Sequence, residues 1–272
     1  MSPRRKKPIT HICNTTPEIE ALDRFVCYIN GDAHDENERL IFNDVPLLDF
    51  ALESAVISEV SAAHRILYRL LYEYEYLFSY DDTDWIEDIN DFVSYAKKMF
   101  SYMNIPEPVE FSTGRESAIF SARDRLRKDF LLGLQKIAET AFRFIWTNRE
   151  LRSKLNLKLA ACIVPLKKQE YPNHLANDGI LPRCTYIPKW LNDAIIYRDN
   201  GQCQYCGNVV ASFGQPIQEF HIDHMVPLVQ GGTNDATNFI LSCSKCNLEK
   251  GIQIRAQEER HVWPPIGQIN IE

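Results

Sequence analysis

No stretch of the sequence reaches the roughly 18 consecutive apolar residues that a membrane-spanning helix needs, and the opening residues MSPRRKKPIT lack the apolar core of a secretory signal. These two absences predict a cytoplasmic protein with no membrane partner. No GxxxxGKS or GxxxxGKT phosphate loop is present, so nucleotide-driven control would have to come from another polypeptide. Internal repeats and low-complexity tracts are missing too. Nor is there an excess of basic residues: 30 Lys and Arg stand against 37 Asp and Glu in 272 residues, a formal net charge of -7. That balance argues against a simple cationic coat for nucleic acid. What is present, 45% hydrophobic and 25% charged residues, matches a soluble globular chain with apolar material for one or two domains.

The net charge conceals segregation. Residues 1–17 form a basic tail carrying Arg4, Arg5, Lys6 and Lys7. Residues 18–110 hold 6 basic and 21 acidic groups, whereas residues 115–183 hold 14 basic and 7 acidic ones. Through the first of these, apolar residues recur at three- and four-residue steps from Leu47 to Tyr74, which predicts one long amphipathic helix opened by Pro46. A second helix is expected from a cap at Asp84, with Glu87 three residues on, to Met103, where Pro106 and Pro108 stop it. A third should start at Thr113, with Glu116 completing a capping box, run to Asn148 and resume to Val164. Residues 18–164 therefore read as a helical domain. Residues 165–187, rich in Pro, Asn and Gly without a sustained period, read as a linker. A short helix opened by Pro188 begins the last part, 188–272.

Eight cysteines in a chain of this size, with no sign of secretion, do not suggest a disulfide framework. Cys13, Cys27, Cys162 and Cys184 are scattered and read as small buried hydrophobes. Cys203 and Cys206 form one CxxC pair and Cys243 and Cys246 another, separated by 36 residues, a pattern that points to zinc. Four thiolates at about 2.3 Å leave no open coordination position, so such a zinc is structural. Phe220–Val226 reads as a strand on which Asp223 and His224 point to opposite faces unless the backbone bends. His11, His34, His64, His174 and His261 lack partners at any recognisable spacing and read as surface or capping residues.

From Arg198 the sequence runs RDNGQCQYCG and then FHIDHMVPLVQGGTNDATNFILSCSKCNLEKG. This resembles the zinc-containing branch of the HNH endonuclease family: a CxxCG knuckle, a DH followed by proline, a GG turn, an Asn-Phe before the second knuckle and CNxxKG after it. The resemblance covers residues 188–260, about a quarter of the chain. It implies an α+β chain, a mostly α-helical N-terminal domain followed by a small ββα-metal domain with a structural zinc. It also implies that Asp223 is a ligand of a catalytic divalent ion, Mg2+ or Mn2+, that His224 is the general base, that Asn247 completes the metal site, and that Asn238 fixes the loop carrying the catalytic strand. Lys250, placed where a helix should begin, reads equally as a phosphate contact or as a solvated lysine. His221 reads as a strand histidine rather than a ligand. Arg255 and Arg260 read as groups lining a DNA path or as an exposed polar face.

Two functions follow as expectations. One is a metal-dependent endonuclease cutting DNA to 5′-phosphate and 3′-hydroxyl ends, in a setting such as anti-phage defence. The other is a zinc-stabilised nucleic-acid-binding or adaptor module without turnover. Arg123, Arg127, Lys128, Arg149, Arg152, Lys154 and Lys158 read either as a positive face for a duplex backbone or as a solvated face paired with the acidic helices. The tyrosines from Tyr68 to Tyr80 sit among acids and read as helix packing. The acidic 18–110 helices are candidates for a protein partner or for restraining a nuclease. A family domain cuts one strand, so double-strand breaks would need a homodimer or two successive events.

Overall fold

Proline in a first turn and glycine just past a last one frame the opening helix, which the periodicity does not predict. In the computed structural model, which describes residues 16–34, 36–71, 89–212 and 215–255, α1 spans Pro17–Asn30 and ends where Gly31 takes φ 81°, the left-handed closure that glycine allows without a Cβ clash. A short α2, Glu36–Asn43, follows. The basic tail before residue 16, the 72–88 stretch with its later tyrosines and the Asp84 cap, and Arg260 lie outside the described residues.

The long helix expected from Leu47 is two helices, α3 (Leu47–Glu53) and α4 (Ala62–Leu70). Serine sets both inner ends. Ser54 Oγ donates to Phe50 O at 2.7 Å, and the Ser61 side chain accepts from His64 N while His64 Nδ1 accepts from Ser61 N. Side-chain oxygens that compete with the helix ladder favour this kind of interruption. α5 (Ile89–Met103), α6 (Glu116–Thr147) and α7 (Arg149–Ile163) complete the helical part. Thr113 makes no capping box. Its hydroxyl donates to Glu110 O and accepts from Arg115 N, and Arg115 occupies the N-cap position of α6. Asn148 does interrupt the following run, its side chain accepting from Leu151 N at 2.9 Å to cap α7.

One apolar core joins Phe25 of α1, Leu52 of α3, and Ile66 and Leu67 of α4 to Phe130 and Leu134 of α6 and Leu155 and Leu159 of α7. Each such side chain contributes about 1.5–3 kcal/mol by leaving water. The acidic segment is thus an integral half of the helical body, not an arm that can be removed from it. Residues 165–187 are turns and irregular chain, with Leu175 and Leu181 buried in that same core.

In the remaining part α8 (Lys189–Arg198), with Pro188 at its N-cap, packs Leu191 and Ile195 on a hairpin. A minor strand pair, β1 (Ala211–Ser212) and β2 (Gln215–Pro216), precedes the main antiparallel pair, β3 (Phe220–His224) and β4 (Phe239–Cys243). The register sets Asp223 opposite Ile240 and His224 opposite Phe239. α9 (Ser244–Lys250) follows β4 directly, so the order is ββα and the chain is α+β.

Residues 225–238 join β3 to β4, and apart from the 228–230 turn they are buried, with 231–238 packed against the helical body. Gly231, at φ 79°, approaches so closely that a Cβ there would stand 2.8 Å from Ala160 O in α7, and one on Gly232 would stand 1.9 Å from Val226 O. Both clashes are with backbone oxygen, and the one with Val226 is far the closer. We expect Gly232→Ala to lower stability by more than about 1 kcal/mol, read as a fall in Tm and as faster proteolysis of the β3–β4 connection.

Candidate active site and metal centre

The first knuckle is a tight turn in which Gly207 N donates to Cys203 O and Cys203 N donates to Asn208 O, both at 2.8 Å. The second straddles the β4–α9 junction, where Cys243 is the N-cap residue and its Sγ accepts from Cys246 N at 3.5 Å. The four Sγ atoms of Cys203, Cys206, Cys243 and Cys246 all lie within 4.8 Å of one another, and Cys206 and Cys243 are 3.8 Å apart. A tetrahedron with zinc–sulfur bonds of about 2.3 Å has edges of roughly 3.8 Å. The cluster therefore has the dimensions of a structural zinc site. Burial opposes ionisation of Cys203, but amides at Cys243, Cys206 and Tyr205 outweigh it and hold its pKa at about 7.

Asp223 and His224, adjacent on β3, meet different neighbours. Asp223 Oδ2 accepts from Tyr205 O–H at 2.8 Å and pairs with Lys250 Nζ at 3.1 Å. Both bonds fall on one oxygen, so Oδ1 makes none to the described residues. Asn247 sits one turn before Lys250 on α9, part-exposed, and its side-chain amide likewise makes no hydrogen bond among the described residues. A carboxylate oxygen and an amide oxygen on adjoining elements form a donor set that suits a hard divalent ion.

Lys250 stands at the end of α9, not at its start, and is 1% exposed. Its ammonium donates to His224 O at 2.8 Å while pairing with Asp223. It is neither a solvated lysine nor a group presented at the surface; contact with a phosphate would require that buried pair to open. Asn238 is fully buried. Its Oδ1 accepts from Val226 N, and its amide donates to Val226 O and Thr233 O, all within 2.9 Å, so it closes the loop on itself. His221 Nε2 reaches Ser244 Oγ at 3.1 Å, away from the Asp223 carboxylate.

Asn234 carries no signal beyond that of a turn residue, yet it touches the histidine. Its Nδ2 donates to Ala55 O at 2.7 Å and to Pro182 O at 2.8 Å. With both amide hydrogens engaged, Oδ1 is left facing His224 Nε2 at 3.1 Å. That oxygen can only accept, so Nε2 carries the proton and Nδ1 carries the lone pair. Burial, partly offset by this hydrogen bond and by Asp223, holds the His224 pKa below its ordinary value.

Further bonds secure the same junction. Asp235 accepts from Ala62 N at 2.6 Å and, through its other oxygen, from Thr237 N. Asn156 donates to Thr237 Oγ1 at 3.0 Å, and Arg198, paired with Asp199, stacks over Trp146 at 4.3 Å. Arg149 and Arg152 are buried here, with Arg152 donating to Phe239 O. Arg123 is buried beside Asp124, Lys154 pairs with Glu150, and Lys158 lies over Tyr28. Of the seven basic residues expected to form one positive face, Arg127 and Lys128 are exposed, Lys154 and Lys158 are half-buried and Arg123, Arg149 and Arg152 are buried, so the seven do not form one continuous face. Arg255 lies over the Tyr205 ring.

Residues 203–253 match the family model HNH endonuclease. They span the zinc knuckles, the hairpin and α9, and so form an HNH endonuclease domain within a longer chain. No curated protein and no solved structure matches the chain. Among the described residues no helix is long and apolar enough to cross a membrane.

Because a zinc ion on these four thiolates would tie the first knuckle to the β4–α9 junction, we expect Cys243→Ser to lower zinc content by one ion per chain and to expose residues 203–250. Elemental analysis and hydrogen exchange check this. Exchange in the α6–α7 core should remain slow.

Proposed function

We propose that the protein is a divalent-metal-dependent endonuclease that hydrolyses DNA phosphodiester bonds. The observation that carries this reading is the hydrogen-bond network that leaves His224 Nδ1 as a lone-pair base, next in sequence to Asp223. Mg2+ or Mn2+ held by Asp223 and Asn247 would supply Lewis-acid stabilisation of the scissile phosphate and of the departing 3′ oxygen. His224 takes a proton from the attacking water at Nδ1. Water oxygen then bonds to phosphorus as the bond to the 3′ oxygen breaks; that oxygen takes a proton from solvent and His224 returns its own to solvent, leaving 5′-phosphate and 3′-hydroxyl ends. Asn234 holds the ring in this tautomer, and Asn238 holds the loop that presents Asn234.

Plasmid nicking tests the proposal. Wild-type protein with Mg2+ or Mn2+ should nick, EDTA should stop it, and His224→Ala should lower the rate by roughly 10²–10⁴. Absence of cleavage by clean wild-type protein with any divalent ion would favour the binding module without turnover. The base must be unprotonated to act and its pKa is lowered, so activity should be lost on acidification through a midpoint below the ~6.5 of a free imidazole.

Asn234→Ala removes the acceptor on Nε2 while leaving the ring in place. We expect about a 10–100-fold fall in kcat, at the lower end of the general-base effect, with DNA affinity nearly unchanged. Single-turnover rates set beside binding isotherms separate the two.

A further inference from the structure

A second set of metal-binding side chains lies on the helical body, apart from the nuclease residues. Asp23 and Cys27 are one turn apart on α1 and share a face. After α1, the amides of Gly31 and Asp32 both donate to Cys27 O, at 2.9 and 3.0 Å, and fold the chain back over that face. His34 returns to it, its own amide anchored on Glu38 Oε2 at 2.7 Å. His34 Nε2 then stands 3.1 Å from Cys27 Sγ and 4.0 Å from Asp23 Oδ2. One nitrogen thus faces a thiol and a carboxylate together, and the three donor atoms lie within 4.8 Å of one another.

We propose that Asp23, Cys27 and His34 bind a borderline divalent metal ion, Zn2+ in the first instance, as a site separate from the four-cysteine cluster. Ligands at zinc distances of about 2.0–2.3 Å in a tetrahedron stand roughly 3.3–3.8 Å apart, so small rotations of two exposed side chains bring all three to one ion. Sulfur, nitrogen and oxygen together favour zinc over magnesium, which does not take thiolate. Cys27 is 7% exposed, whereas the Asp23 and His34 side chains are 70% and 66% exposed. The fourth position therefore opens on solvent and takes water. Binding replaces the Cys27 S–H bond with a sulfur–metal bond and releases one proton to solvent. The ion would clip the turn between α1 and α2 to the body of α1. This site does not depend on the nuclease reading.

Full-length protein is loaded with Zn2+, desalted, and its zinc counted per chain. We expect two ions in the wild type and one in Cys27→Ser, His34→Ala or Cys243→Ser. Circular dichroism establishes that the helical body is retained, and the exposed Asp23→Asn serves as a third variant, with weaker zinc retention against a competing chelator. Co2+-loaded Cys243→Ser should show thiolate absorption that disappears when Cys27→Ser is added. One zinc in the wild type, or two in both Cys27→Ser and His34→Ala, would overturn the proposal.

Discussion

Every polar group taken out of water must find a partner, and in this protein that requirement concentrates on the buried connection between β3 and β4. Thr233, Asn234, Asp235, Thr237 and Asn238 are all buried there. Asn238 is satisfied within the loop. Asn234 and Asp235 also need partners outside it: the backbone of Ser54, Ala55 and Ala62 and the carbonyl of Pro182. The helical body is therefore part of the HNH domain's hydrogen-bond complement. Removing it would strand several buried groups, each at about 1–3 kcal/mol.

The same bonds reach the histidine. Two backbone carbonyls outside the HNH unit consume the Asn234 amide hydrogens, and the remaining oxygen selects the His224 tautomer. At the other end of the hairpin the four cysteines perform a different task. Two five-residue strands and a seven-residue helix are short elements, and a lone hairpin of that size is marginal in water. A metal on the four cysteines would tie the knuckle to the β4–α9 junction and so reinforce the small core of Leu191, Ile195, Val210, Phe239 and Leu241. Lys250 closes the remaining side, joining Asp223 to the carbonyl of His224.

The zinc cysteines, the strand carrying Asp223 and His224, and the stop at Asn148 were legible because each rests on local spacing or local chemistry. The break between α3 and α4 was not. Apolar periodicity continues through residues 54–61, and the two serines that interrupt it are ordinary helix-surface residues until a loop from some 180 positions away inserts beside them. The basic stretch misled for a related reason. Linear clustering of Arg and Lys records charge but not direction, and Arg123, Arg149 and Arg152 turn inward. His34 looked partnerless because the thiol it meets is seven residues away across a helix end.

Helix periods and cysteine spacing, properties of short stretches, were sufficient to point to a helical N-terminal part and a four-cysteine metal site, and the resemblance to the HNH family supplied the ββα module and hence an α+β chain. The docking of that module, the ring nitrogen of His224 left without a proton, and the burial of Lys250 came from contacts between residues distant in sequence. A side chain's hydrogen-bond partners depend on which backbone groups other elements leave unpaired, and that is settled only when the elements pack.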